Sequence, residues 1–138
     1  MRRLMAALLL PALLAVTLAT FSASPAAASH RRIRKTLCPA HGHTGPREVL
    51  RIIRCATDRW HVRGGARYAI HIARRESGLH PHAYNSGGYA GVFQQSVHYW
   101  GGRARTYGFA GASPFNGRAN VIVSIRMAHS GGWGPWAL

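Results

Sequence analysis

Apolar residues fall into three kinds of run along this chain, and each kind predicts a different fate. Over residues 4–21 they are nearly continuous, behind Arg2 and Arg3 and ahead of the small residues Ala26-Ala27-Ala28. That order reads as an export signal cut near residue 28, and Pro11 inside the run argues against a retained membrane anchor. Over residues 29–45 there is no apolar period. The stretch is basic and rich in Pro, Gly and His, which predicts an extended arm. Beyond Pro46 the spacing becomes helical.

Pro46 suits the first position of a helix, and Val49, Ile52, Ile53, Ala56 and Trp60 then recur at three- and four-residue steps, with Gly64-Gly65 as the expected end. A second helix is expected from about Ala66, with Ala66, Ala69, Ile70 and Ala73 facing inward and a stop at Gly78 and Pro81. Residues 84–95 are rich in Gly and aromatic side chains, too broken for a helix, and suit a loop or a very small hairpin. A short helix over 96–105 follows. Ser113-Pro114 predicts the start of another, carried by Ala119, Ile122, Val123 and Met127 and closed by Gly131-Gly132. The expected fold class is mainly α: one compact helical domain over 46–138, with an irregular or hairpin segment at its centre.

Charge sharpens this picture. Of 138 residues, eighteen are Lys or Arg and three are Asp or Glu. Loss of the signal takes away Arg2 and Arg3, which leaves sixteen basic side chains against three acidic ones, a net +13 on about 110 residues. Such a chain attracts polyanions such as wall polymers, anionic lipid or nucleic acid. No helix-turn-helix or zinc-finger pattern accompanies the basic residues, so sequence-specific nucleic-acid binding is not expected. Cys38 and Cys55, an even pair in an exported chain, are expected to form a disulfide. The pairs His41-Gly-His43 and His80-Pro-His82 have no matching partners, so neither a metal nor another cofactor is expected.

With so few acids, Glu76 stands out. It lies three residues after Ala73 and four after Ile72, on or beside the buried stripe in the last turn of the second helix. Arg74 and Arg75, as sequence neighbours, are expected to point elsewhere around that helix. No Asp or Glu follows it. Glu48 and Asp58 precede it on the first helix, where pairing with surface arginines is their expected role.

Glu76-Ser77-Gly78-Leu79-x-Pro81-x-Ala83-Tyr84-Asn85 followed by Gly91-Val92-Phe93-Gln94 resembles the lysozyme-like superfamily, in particular domains similar to soluble lytic transglycosylases and goose-type lysozymes. Asn120-Val121 is similar to a later Asn-Ile element of that family, and Gly132-Trp133-Gly134-Pro135-Trp136 to the ending of small exported members. Val92 replaces the usual Leu. The tyrosine element of many lytic transglycosylases is not recognisable, and Tyr89, Tyr99 and Tyr107 all remain open as substitutes.

The resemblance implies a lysozyme-like α+β fold and a secreted, wall-associated monomer that cleaves the MurNAc-β-1,4-GlcNAc bond of peptidoglycan glycan strands. Glu76 matches the catalytic acid. Ser77, Asn85, Tyr89, Gln94 and Trp133 are the expected substrate-binding residues, with Trp133 and Trp136 able either to stack on sugar or to pack over the first helix. A single acid suits the transglycosylase route, in which the substrate's own C6 hydroxyl replaces water. The alternatives are a muramidase that hydrolyses the same bond and a non-catalytic cationic protein that binds the cell wall.

Overall fold

A computed structural model describes residues 37–41 and 44–137. The expected signal over 1–28 and the basic cluster at 31–35 lie outside the described residues. Among the described residues four helices surround one short hairpin, in the order α1 (Pro46–Arg59), α2 (Gly65–Ser77), β1 (Tyr89–Ala90), β2 (Gln95–Ser96), α3 (Val97–Thr106) and α4 (Gly117–Gly131), before a 3-10 turn over Gly134–Trp136. The described chain is mainly helical, as the periodicity predicts, and no described helix is long and apolar enough to cross a membrane.

Helix α1 starts on Pro46, carries Glu48 in its first turn and Arg59 in its last, and buries Val49, Ile52, Ile53, Ala56 and Thr57. It stops at Arg59, several residues before the expected glycines. Gly64 instead caps α2 in a left-handed conformation. Trp60 is half-buried beside Arg126, whose guanidinium also faces Tyr107. In α2 the fully buried residues are Ala69, Ile72 and Ala73. The expected inward positions Ala66 and Ile70 are only half-buried, because the stripe is rotated towards Ile72.

Helix α4 is the centre of the molecule and packs mainly against α1. Val121, Ile122, Val123, Ser124 and Ile125 are buried in succession, so this helix is enclosed on nearly all sides rather than along one stripe. Its cap is Asn116, whose side chain accepts a hydrogen bond from the Ala119 amide at 3.0 Å. Ser113-Pro114 therefore does not start it. Ser113 Oγ accepts from Phe115 N within the preceding turn, and the Pro114 carbonyl is used elsewhere.

The arm is tied down at three points. Cys38 and Cys55 form the expected disulfide, and closing a loop of this length stabilises the fold by about 3 kcal/mol in the chain-entropy model. Arg118 donates to the Leu37 and Cys38 carbonyls at 2.5 and 2.9 Å, and its burial lowers its pKa. Glu48 accepts from the His41 amide at 2.6 Å and from Arg51 at 2.7 Å, and Arg51 in turn donates to the Pro39 carbonyl. These contacts hold the Glu48 pKa down at about 2, the Arg51 hydrogen bond being the larger cause. Asp58 is exposed and forms no ion pair among the described residues, so the pairing expected of it is not found.

Candidate active site

Glu76 occupies the last turn of α2, next to the left-handed Gly78 that ends the helix. Its side chain is 23% exposed, a carboxylate at the rim of the core rather than one free in solvent. Arg75 does not point elsewhere. Its Nη2 donates to Glu76 Oε1 at 2.7 Å and also to the Trp136 carbonyl at 2.5 Å. The physical reason is the C-terminal turn, whose carbonyl lies beside the helix end and draws the long arginine side chain back across it. Oε1 is thereby fixed, while Oε2 carries no hydrogen bond among the described residues.

The next residue joins the helix to the hairpin. Ser77 Oγ donates to the Val92 carbonyl at 2.8 Å, with the Ala73 carbonyl at 3.1 Å. This is a tether between the turn that carries Glu76 and the turn that joins β1 to β2. The hairpin pairs Tyr89 with Ser96 and Ala90 with Gln95 in antiparallel register.

Asn120 grips the same turn from below. It is fully buried, accepts from the Phe93 amide at 2.9 Å and donates to the Ala90 and Pro114 carbonyls at 3.1 and 2.9 Å. Gly91 is required beside it: φ is +79°, and a Cβ there would stand 2.3 Å from Asn120 Nδ2. From the other side Trp136 Nε1 donates to the Phe93 carbonyl at 2.8 Å. Segments at residues 75–77, 90–94, 120 and 136 thus converge through hydrogen bonds on one turn.

The three candidates in the loop form a unit. Gln94 takes a left-handed φ of +45°, and its Nε2 donates to the Gly91 and Ala83 carbonyls at 3.0 and 3.3 Å. Its Oε1 accepts from Asn85 Nδ2 at 3.0 Å. Asn85 Oδ1 in turn accepts from the Gly87 and Tyr89 amides. Both amides therefore already serve the loop, and they shape the surface more than they offer free donors. Tyr89 is 45% exposed.

A cavity of about 210 Å³ opens here, walled by Tyr89, Gln94, Tyr99, Arg103, Pro135 and Trp136. Glu76 is not among its lining residues and connects to it through Arg75 and the Trp136 carbonyl. Tyr99 shares this wall, whereas Tyr107 lies beside Arg126. Trp133 is set apart. It is buried, donates from Nε1 to the Arg63 carbonyl at 2.9 Å, and borders a second cavity of about 570 Å³ with Tyr68. Both C-terminal tryptophans pack into the core, with their rings against Phe93 and each other.

Arg103 carries no signal in the sequence that marks it for this site. An arginine at an i+8 distance from Gln95 has no periodic signal, and only the fold brings the two together. Among the described residues no cluster of His, Cys, Asp or Glu could hold a metal ion. Comparison with protein-family models, with curated proteins and with solved structures finds no match for this chain.

Proposed function

We propose that this protein is a glycosidase of the cell wall, cleaving the MurNAc-β-1,4-GlcNAc bond by the lytic transglycosylase route with Glu76 as its only acid and base. The observation that carries this reading is the convergence just described. Four motifs spread between residues 76 and 136, each noted for its resemblance to one superfamily, are joined by hydrogen bonds around the turn at 91–94 beside Glu76.

In this mechanism Glu76 gives its proton from Oε2 to the bridging oxygen, and the bond from that oxygen to the anomeric carbon breaks. The carbon becomes oxocarbenium-like, helped by the neighbouring N-acetyl group of the substrate. The Glu76 carboxylate then takes the proton of the C6 hydroxyl, O6 bonds to the anomeric carbon, and a 1,6-anhydro sugar leaves. No water is consumed. Arg75 positions Oε1, so that one oxygen of the carboxyl is anchored and the other is free to act. The hydrolytic alternative would activate water with Asp58, Glu48 or the substrate's own N-acetyl group. Glu48 is poorly suited, since Arg51 and the His41 amide already hold it.

Mass spectrometry of muropeptides released by the protein tests this directly. Anhydro-terminated products are expected, with release falling at least about a hundredfold in Glu76→Gln, the usual scale for loss of a general acid. Reducing ends in place of anhydro ends would convert the reading to a muramidase. Wall breakdown undiminished in Glu76→Gln would end it.

A further inference from the structure

Arg103 is oriented at two points and keeps donors beyond them. Its Nη1 donates to Gln95 Oε1 at 2.7 Å, and its guanidinium carbon stands 5.4 Å from the centre of the Tyr99 ring. Gln95 is itself buried, and its Nε2 donates to Ser124 Oγ at 2.7 Å. The central helix α4 therefore fixes β2, and β2 fixes the arginine. No acidic side chain pairs with Arg103 among the described residues, where the ion pairs are Glu48 with Arg51 and Glu76 with Arg75. Nε and Nη2 make no hydrogen bond there, and the residue walls the cavity that also contains Gln94 and two tyrosines more than two-fifths exposed.

A planar guanidinium whose orientation is already paid for matches a carboxylate better than a mobile lysine does, because less rotational freedom is lost on binding. The flanking tyrosine faces suit a sugar ring. We propose that Arg103 is a specificity determinant that takes a carboxylate carried by the glycan, so that the cavity distinguishes acid-bearing sugar units from neutral ones. This rests on the glycan-cleaving reading above and adds a substrate preference to it. The carboxylate has two sources, the lactyl group of a peptide-free muramic unit or the stem peptide attached to it.

The test measures dissociation constants by calorimetry at 0.15 M salt, where diffuse attraction to the basic surface is partly screened, using Glu76→Gln so that ligands survive. Three oligosaccharides of equal length are compared: one of GlcNAc alone, one alternating with peptide-free muramic acid, and one bearing stem peptides. Glu76→Gln is expected to bind at least one acid-bearing ligand about ten- to a hundredfold more tightly than the neutral one, as for one charge-assisted contact. The ligand that gains identifies the source. Adding Arg103→Gln should reduce the preference to about threefold or less, and Arg103→Lys should keep only part of it. If Arg103→Gln does not fold, as judged by circular dichroism, Arg103→Lys and Tyr99→Ala carry the comparison. A preference that persists in these variants, or glycan binding indifferent to the acid, overturns the role of Arg103 and leaves the glycosidase reading standing. Failure to bind any of the three, with no cleavage by the unaltered protein, overturns both.

Discussion

Asn120 shows how one buried side chain can organise a site it does not enter. Its three hydrogen bonds reach the hairpin turn and the segment before α4, and the two to the turn are buried. Asn120→Leu would leave the Phe93 amide and two carbonyls unpaired, and stability should fall by roughly 2–4 kcal/mol in a denaturant melt. Gly91 belongs to the same argument, since no other residue fits beneath Asn120 at that φ. Residue by residue, part of this was legible. Periodicity placed Glu76 on the rim of the core, where it lies. It could not place Arg75, because helical spacing states where a side chain starts and says nothing of a carbonyl sixty-one residues away that bends it back.

Among the elements, the helices were legible because burial imposes a period, and their ends were not. Ser113-Pro114 and Asn116 both carry start signals for α4 within four residues, and the geometry of the turn selects Asn116. Of the expected inward positions of α2, Ala69 and Ala73 are buried and Ala66 and Ile70 only half so, since alanines and isoleucines flank the stripe on both sides. The arm-to-α1 junction yields a test by pH. Glu48 has its pKa lowered from 4.5 to about 2, so the folded state binds this proton less readily than the unfolded chain. Its contribution is complete above pH 4.5 and is lost as pH falls through about 2. Melting temperatures measured over that window should decline less steeply for Glu48→Gln than for the unaltered protein, and salt should narrow the difference because the pair sits near the surface.

For the molecule as a whole, charge is the dominant long-range property. Eighteen basic side chains face three acidic ones, two of which are already paired. Adsorption to isolated walls should therefore weaken several-fold between 0.05 and about 0.5 M salt, and Glu76→Gln should weaken in parallel, since attachment by diffuse charge does not use the carboxyl. Sedimentation of labelled protein with walls measures both. The meeting of distant motifs on one turn was not legible from residue spacing. Order along a chain does not state which carbonyl a tryptophan nitrogen will find.

The contacts of Trp136 carry a consequence for biosynthesis. Its ring nitrogen holds Phe93 and its carbonyl holds Arg75, so the turn beside Glu76 lacks two of its braces until residues 133–136 have been made. A nascent chain halted before that point would present Phe93 without its aromatic cover and an arginine without its anchor. The surface beside Glu76 is thus completed only once residues 133–136 are made, and a ribosome-stalled fragment ending at Gly132 should remain open to protease where a chain that includes them resists.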